Sequence, residues 1–450
     1  MKITLVNHAC CKVETSAGAL LCDPWIEGPA FNLGWDLLIP TPLEFDAIMA
    51  GVRWLWLSHE HPDHFSVPFL NRIAGTQRGA VTILFQRTRD QRVTRFCRSL
   101  GLEVRELEDG RATSLTGSVS VLCRSFDLYD SWLALSDGGE TILNMNDCPM
   151  AERHDLARVR RLVPSPAVLL SQFGYAAWKG GRDNRDYRLL AGRQKLEILA
   201  AQIRALRPRA VIPFASLIYF SNMENSYMND ALNTPEDAAR AIAAAGAEPV
   251  ILYPGDAWNV VGRWNNGEAL ERYRERYAAL PSLPLRGPGP SCSLDELNAA
   301  FREYVERIFA KNSRWLIWIA SRLPALRAFQ PVVVNLPDID TALSVSLFDG
   351  LAPHDVTARP ADVSMHSSSL LFLFKNEFGF DTLTVNGRFE ANSDGFARMS
   401  RCFGIGSLNA MGLSVSPRLL LRPRVVVMRL RRLRHVVAEL ARRDRAGTIR

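Results

Sequence analysis

The chain has 450 residues, of which 47% are hydrophobic and 22% are charged, and its net charge at pH 7 is +7. This length and composition exclude a disordered or fibrous protein and allow two or three domains with substantial cores. The most apolar patch, residues 315–320, is too short to span a bilayer, and no cleaved signal is indicated at the N-terminus. Eight cysteines without a Cys-x-x-Cys pair favour a reducing compartment, so we expect a cytoplasmic protein without a disulfide framework.

Short buried strands are predicted near the start of the chain, and they end in polar residues. Two apolar runs there have the composition of strands, and they are followed directly by His8 and by Asp23. Residues 140–146 form a later strand that delivers Asp147 at its C-terminal end. An imidazole and two carboxylates at strand ends support a metal site in this part of the chain.

Between these strands, three of the eight histidines fall within six residues. Residues 52–58 are short, bulky and apolar, which is typical of a buried strand, and His-Glu-His-Pro-Asp-His follows. His59 and His61 are two positions apart, so in an extended chain their rings point to one face. The proline then turns the chain and brings Asp63 and His64 toward the same pocket. The spacing predicts a metal site, and a polar loop that is merely rich in histidine is the alternative.

The motif and the polar strand ends together resemble the metallo-β-lactamase superfamily. The residues that carry this resemblance are His8, Asp23, Pro24, His59, His61, Asp63, His64 and Asp147. The resemblance implies an α/β fold, an αββα sandwich over residues 1–262, with the metal site at one edge of its two sheets. The metal ligands predicted here are His59, His61, Asp63, His64, Asp147 and Asp130. Of these, Asp63 and Asp147 are also assigned catalytic roles.

Further segments resemble the catalytic domain of the CMP-N-acetylneuraminate hydroxylase family. These segments are 130–132, 143–148 with the sequence LNMNDC, 204–216, 219–220 and 229–237. The family implies an iron-dependent monooxygenase that acts on a nucleotide sugar and receives electrons through a Rieske cluster. This chain contains no Cys-x-His pair and so cannot hold a Rieske cluster, which means that its electrons would come from a separate partner such as a ferredoxin.

The ligand set departs from that of a two-zinc hydrolase of the superfamily. Such an enzyme usually adds one histidine before the bridging aspartate and another after the helix that follows. No histidine occurs between His64 and Asp147, and the later position reads Ile-Pro-Phe-Ala-Ser at 212–216. Few imidazoles among many carboxylates favour iron, with one or two ions, although zinc and manganese stay open.

Residues 173–184 mix aromatic side chains, glycines and cations, and they are predicted to lie near the site. Lys179 and Arg182 could contact an anionic substrate, and Trp178 could cover an apolar or sugar face. Surface decoration is the alternative for these residues. In a later loop rich in Asn and Ser, Glu224 could replace the missing histidine, although any exposed turn has the same composition.

Three functions fit these features. The first is an iron-dependent oxygenase that hydroxylates or oxidises a small substrate, either a nucleotide sugar or a carrier-bound or lipid-like molecule. The second is a metal-dependent hydrolase of a phosphoester, lactone or amide, in which the metal activates a water molecule. The third is a lipid- or partner-binding scaffold with a vestigial site. The missing imidazoles favour the first over the second, the intact motif opposes the third, and no nucleic-acid partner is expected.

A helix and a linker rich in Pro and Gly are predicted at 263–293, followed by a smaller α+β domain at 294–417. Ser293 and Glu296 have the spacing of a capping box at the start of its first helix. Strands are predicted at 332–334, 342–348 and 383–389. The segment 362–403 is similar to sterol-carrier-like domains, which implies an apolar tunnel, whereas an ordinary apolar core is the alternative.

The last segment, residues 418–450, contains eleven arginines and two acidic residues. Its net charge is therefore higher than the +7 of the whole chain. It is predicted to form a basic amphipathic helix. The apolar stripe of this helix consists of Val427, Leu430, Leu433 and Val437. Such a helix could lie on an anionic membrane surface as a peripheral contact, or it could pack on its own domain as a cap.

Overall fold

The computed structural model describes residues 1–417 with the exception of 77, 78, 128, 129, 324–327 and 411. Unit 1 comprises residues 1–290 together with 382–392, and unit 2 comprises 291–381 and the residues from 393 onward. A short segment of the C-terminal part therefore belongs to the first unit. The basic helix predicted at 418–450 lies outside the described residues. No described helix combines the length and the apolarity needed to cross a bilayer.

Unit 1 is built from many short strands. In chain order they are β1 (Lys2–Asn7), β2 (Cys10–Thr15), β3 (Gly18–Cys22), β4 (Trp35–Leu37), β5 (Val52–Leu57), β6 (Thr82–Gln86), β7 (Glu103–Leu107), β8 (Ala112–Thr116), β9 (Val119–Phe126), β10 (Asp130–Asp137), β11 (Glu140–Asn146), β12 (Val168–Gln172), β13 (Ala210–Phe214), β14 (Ile218–Phe220), β15 (Glu248–Pro249) and β16 (Ala257–Asn259).

The helices of unit 1 connect these strands. They are α1 (Phe45–Met49), α2 (Val67–Thr76), α3 (Arg92–Ser99), α4 (Arg153–Leu162), α5 (Arg185–Leu206), α6 (Pro235–Ala244) and α7 (Gly267–Ala278). Short 3-10 helices lie at Ser226–Ala231 and Leu280–Ser282.

Two seven-stranded sheets form the frame of unit 1. The first has the order β16-β1-β2-β3-β5-β6-β7, and the second has the order β15-β13-β12-β11-β10-β9-β8. A two-stranded ribbon pairs β4 with β14. One apolar cluster contains inward-facing residues of both sheets together with residues of α4, α5 and α6. A second cluster joins the outer face of the first sheet to α1, α2 and α3. The predicted αββα sandwich is confirmed.

Strand β5 shows how the sequence specifies these layers. Trp54 and Trp56 belong to the cluster shared by the two sheets, whereas Leu55 and Leu57 belong to the cluster on the outer face. Alternate residues of a strand point to opposite faces, so a continuous apolar run is what a strand buried on both faces requires. β5 ends at Leu57, and His59 follows two residues later.

Several strands end in residues with left-handed backbone geometry. The φ angle is 34° at His8 after β1, 42° at Asp23 after β3 and 55° at Asn146 at the end of β11. Residues other than glycine rarely adopt such angles. Those that do are concentrated at functional sites, where the surrounding contacts enforce the backbone conformation. These turns bring the polar residues that follow the strands to one edge of the sandwich.

Unit 2 is a smaller α+β unit. Its strands β17 (Val332–Leu336), β18 (Thr341–Ser346), β19 (Gly350–Pro353) and β20 (Val363–Ser364) form a sheet in the order β19-β18-β17-β20. The remaining elements from 291 onward are α8 (Leu294–Lys311), α9 (Arg314–Arg322), a 3-10 helix (Pro337–Ile339), α10 (Ser367–Lys375), α11 (Gly379–Asn386), β21 (Glu390–Ala391) and α12 (Ser393–Ala410). The capping box of Ser293 and Glu296 is confirmed at the start of α8.

The prediction of a strand at 383–389 is wrong, because α11 continues to Asn386 and Gly387 follows it with a φ of 65°. Thr384 and Val385 have high strand propensity, but propensity is a weak preference that tertiary contacts override. Here the side-chain amide of Asn386 donates to the carbonyl of Phe31 at 3.0 Å, and the backbone carbonyl of Asn386 accepts from Asn225 Nδ2 at 2.6 Å. These contacts stabilise the helical turn.

Aromatic rings fill the interior of unit 2. The ring centroid of Phe374 lies 4.9 Å from that of Phe301, 5.6 Å from that of Tyr304 and 6.4 Å from that of Phe403. Such spacings are those of packed aromatic pairs in a core. This packing agrees with an ordinary apolar core, which was the alternative to an apolar tunnel in the sequence analysis.

Candidate metal centre

The first group of possible metal ligands joins the two sheets. His59 and His61 follow β5 of the first sheet, Asp147 follows β11 of the second, and their ligand atoms lie within 4.8 Å of one another. His59 Nε2 is 2.8 Å from His61 Nδ1 and 3.7 Å from Asp147 Oδ2. Asp130, at the start of β10, places Oδ1 3.9 Å from His59 Nε2. The structure therefore brings together four of the predicted ligands.

The second group contains His8, Asp63 and His64, whose ligand atoms also lie within 4.8 Å of one another. Asp63 Oδ2 is 3.3 Å from His8 Nε2 and 3.2 Å from His64 Nε2. Asp147 Oδ2 lies 3.8 Å from His64 Nε2 and so stands between the two groups. His8 belongs to the motif that carries the family resemblance but is not among the ligands predicted from the sequence, and its position directly after β1 was the available signal.

Outer residues orient the histidine rings. Asp23, which is fully buried, places Oδ2 3.1 Å from His64 Nδ1 and accepts the backbone N–H of Ser58 through Oδ1 at 2.8 Å. The hydroxyl of Ser58 lies 3.0 Å from His59 Nδ1. A metal-binding histidine usually bonds a carboxylate, carbonyl or hydroxyl through its other nitrogen, which fixes the ring. These contacts leave Nε2 of both rings directed into the groups.

Several buried polar atoms of these groups have no hydrogen-bond partner among the described residues. They are His8 Nδ1, Asp63 Oδ1, His64 Nε2, Asp130 Oδ1 and Asp147 Oδ1. Each buried atom of this kind costs roughly 1–3 kcal/mol unless something satisfies it. Imidazole nitrogens and carboxylate oxygens converge at this point, so a bound cation accounts for the arrangement. This donor set suits iron, manganese or zinc.

The protonation states of His59 and Asp63 also suit metal binding. Burial lowers the pKa of His59 to about 3, so its ring is neutral and able to bind a metal at neutral pH. Burial alone would raise the pKa of Asp63, but the charges of His64 and His8 and the hydrogen bond of His8 outweigh burial and lower the pKa well below its usual range. Burial would lower the pKa of His64, yet Asp63, Asp147 and Asp23 raise it well above normal. The carboxylates thus attract positive charge to the place where a cation would bind.

Three of the predicted substrate residues contact the segment 382–392 of unit 1. The backbone N–H of Trp178 donates to the carbonyl of Thr384 at 2.8 Å, and Arg182 Nε lies 3.1 Å from Glu390 Oε1. Glu224 Oε2 accepts from Arg388 Nε at 2.7 Å and belongs to neither ligand group. The structure therefore places Glu224 in an ion pair with Arg388, and the prediction that it replaces the missing histidine stays a prediction.

Lys195 is a residue near the site that the sequence analysis missed. It lies on α5, is half-buried, and donates a hydrogen bond to the side-chain carbonyl of Gln172. Burial and the charge of Lys179 lower the pKa of Lys195, whereas the charges of Asp147 and Asp130 raise it. The net effect is a lowered pKa. A lysine in the middle of a helix usually belongs to a solvated face, so no signal in the sequence distinguished this one.

Comparison with curated proteins supports the hydroxylase resemblance. The cytidine monophosphate-N-acetylneuraminic acid hydroxylase of Macaca mulatta is 26% identical over 261 residues, covering 53% of this chain and 41% of that protein. The Mus musculus hydroxylase is 26% identical over 252 residues, with 53% of this chain and 42% of that protein covered. The Homo sapiens relative, named an inactive hydroxylase, is 25% identical over 261 residues, with 53% and 49% covered. The chain thus spans less than half the length of these relatives.

The solved structures that are similar to this chain include both hydroxylases and hydrolases. CmlA, a diiron β-hydroxylase from Streptomyces venezuelae, has a TM-score of 0.38 at 15% identity, covering 57% of this chain and 54% of that chain. A possible metal-dependent hydrolase from Veillonella parvula has a TM-score of 0.43 at 13% identity, covering 57% and 98%. Because both scores are below 0.5, the fold assignment depends on the two-sheet architecture described above.

No family model matches the chain. The sterol-carrier resemblance of the C-terminal part finds no support among these relatives and structures. Unit 1 has the metallo-β-lactamase fold, and the chain resembles cytidine monophosphate-N-acetylneuraminic acid hydroxylases over about half of its length.

Proposed function

We propose that unit 1 is a metal-dependent oxygenase that hydroxylates or oxidises a small anionic substrate and uses non-haem iron. The observation that carries this proposal is the composition of the two ligand groups, since each contains two histidines and one carboxylate. Two histidines and a carboxylate with open positions form the usual ligand set of non-haem iron oxygenases. His59, His61 and Asp147 would hold one ion, and His8, Asp63 and His64 would hold a second. Iron bound there would supply the activation of dioxygen.

The substrate is proposed to carry a negative charge. The charges of Asp147, Asp130 and Lys179 all act on Lys195, so one ammonium group lies near these carboxylates and a second lies near Lys195. A phosphate or carboxylate of a nucleotide sugar or a carrier-bound substrate would be attracted by this pair. Electrons would come from a separate partner such as a ferredoxin, because the chain contains no Cys-x-His pair.

A metal-dependent hydrolase is the second candidate, and one observation favours it. Asp147 lies between the two groups, 3.7 Å from His59 Nε2 and 3.8 Å from His64 Nε2. A carboxylate shared by two neighbouring ions is the arrangement that activates water in two-metal hydrolases. Zinc or manganese would then occupy the groups, and no electron donor would be needed.

Metal analysis of the full chain distinguishes the two candidates. Protein produced without added metal is expected to contain iron, with one or two ions per chain, measured by elemental analysis. Mössbauer or electron paramagnetic resonance spectra would then report the environment of the iron. Stoichiometric zinc with no iron would contradict the oxygenase proposal and support the hydrolase.

Replacing Lys195 with methionine is expected to weaken the binding of an anionic ligand. The substitution keeps the length of the side chain and removes its charge, so we expect about a 10-fold increase in the dissociation constant of cytidine monophosphate, equivalent to about 1.4 kcal/mol. Isothermal titration calorimetry measures this change. Lys311→Met is the control, because Lys311 is exposed in unit 2 and pairs with Glu377 at 2.7 Å. Equal affinity of Lys195→Met and the unmodified protein would contradict the assigned role.

A further inference from the structure

We propose that the segment 382–392, which comes from the C-terminal part of the chain, positions the metal centre of unit 1 through Asn386 and Arg388. The inference rests on the metal centre of the proposed function and holds for either reaction. Its physical basis is a strained turn that carries an aromatic ring onto His61.

The turn is formed by three consecutive residues with left-handed backbone geometry. The φ angles are 49° at Phe31, 52° at Asn32 and 62° at Leu33, and none of these residues is glycine. Residues with a Cβ seldom occupy this region even singly, and three in succession persist only when surrounding contacts enforce them. The contacts around this turn therefore hold its backbone in an otherwise unfavourable conformation.

Side chains satisfy each backbone carbonyl of the turn. Asn386 Nδ2 donates to the carbonyl of Phe31 at 3.0 Å, and Arg388 Nη1 donates to the carbonyl of Asn32 at 2.8 Å. The carbonyl of Leu33 accepts from Asn222 Nδ2 at 3.4 Å. Two of these three donors belong to the segment 382–392, so that segment holds the turn in place.

Arg388 is suited to this role by its own bonding. Its side chain is 1% exposed and forms an ion pair with Glu224, in which Nε lies 2.7 Å from Oε2. Nη2 also donates to the carbonyl of Pro288 at 2.5 Å. The planar guanidinium thus satisfies a carboxylate and two carbonyls in fixed directions, which a lysine ammonium cannot reproduce. Glu224 serves to hold the arginine in this orientation.

The turn and the segment are also in close steric contact. A Cβ atom on Gly34, directly after the turn, would lie 2.4 Å from Cβ of Asn386. That separation is shorter than any real contact of this kind, so only glycine allows the helix end to approach. Asn225 links the two sides, because its Nδ2 donates to the carbonyl of Gly34 at 2.9 Å and to that of Asn386 at 2.6 Å.

Phe31 connects the turn to the metal centre. Its ring centroid lies 5.8 Å from that of His61 in an edge-to-face arrangement and 4.5 Å from that of Trp35. His61 is half-buried, and the rings of Phe31 and His59 both pack against it edge to face. The segment therefore acts on a metal ligand through the turn, and Arg388 is a positioning residue.

Arg388→Met in the full-length protein tests the inference. We expect the dissociation constant of Co²⁺ to rise about 10-fold, which is the effect of disturbing residues that orient a metal ligand. In metal-free protein labelled with ¹⁵N-histidine, we expect the ring resonances of His61 to shift while those of His354 and His366 in unit 2 stay unchanged. Phe31→Leu should shift the same resonances, and Arg388→Lys should give an intermediate shift.

Arg359→Met is the matched control, because Arg359 Nη2 binds both oxygens of Asp362 at 2.7 Å within unit 2. It should alter neither Co²⁺ affinity nor the resonances of His61. If Arg388→Met lowers only the stability to urea and leaves both readouts unchanged, the segment has no positioning role. If the unmodified protein fails to bind metal, the proposed function fails, whereas the resonances of metal-free His61 still decide whether Arg388 positions this ring.

Discussion

Replacing His59 with alanine is expected to abolish metal binding at the His59–His61–Asp147 group and to eliminate activity. His59 is fully buried, and its Nε2 atom lies within 4 Å of His61, Asp147 and Asp130, so no other side chain can take its place. Outer residues of metal sites contribute 10–100-fold to affinity, and loss of a direct ligand should cost more than about 100-fold. Elemental analysis and titration with Co²⁺ measure the loss.

Two further histidines serve as controls for this result. His154→Ala should leave the metal content unchanged, because His154 is exposed and pairs with Asp155 at 3.2 Å. His8→Ala should remove one ion and leave the other if the two groups bind separately. Full metal content in His59→Ala would contradict the assignment of the site.

Replacing Arg188 with methionine is expected to lower the free energy of unfolding by about 3 kcal/mol, which is the low end of the cost of breaking a buried ion pair. The guanidinium is fully buried, its Nη2 lies 2.8 Å from Asp230 Oδ2, and it donates to the carbonyls of Gly181 and Arg182 at 2.6 and 3.1 Å. Methionine leaves these carbonyls without their donor. Asp230 is partly exposed and can be hydrated, which limits the cost. Urea denaturation followed by circular dichroism measures the change.

Arg185→Met is the matched control, because Arg185 pairs with the same Asp230 oxygen at 3.9 Å but is 60% exposed. Exposed ion pairs contribute little, so we expect a loss of less than about 0.5 kcal/mol. Equal losses in the two variants would show that burial does not determine the contribution of Arg188.

The sequence by itself determined the ligand motif and the layer in which it lies. His59 and His61 are two positions apart just after β5, and in an extended chain this spacing directs both rings to one side. The alternation of Trp54 and Leu55 between the two clusters follows from the same period of two. Both features depend on neighbouring residues in the chain, so local geometry was sufficient to predict them.

Tertiary structure alone decided which distant residues complete the site. His8 joins Asp63 across 55 positions of sequence, and Lys195 on α5 lies where the charges of Asp147 and Asp130 act on it. The segment 382–392 belongs to unit 1, and the strand predicted there is a helix end. Arg388 pairs with Glu224 across 164 positions. No periodicity or spacing encodes such pairs, because they arise only when packing of the two sheets and the inserted segment buries charges that must then find partners.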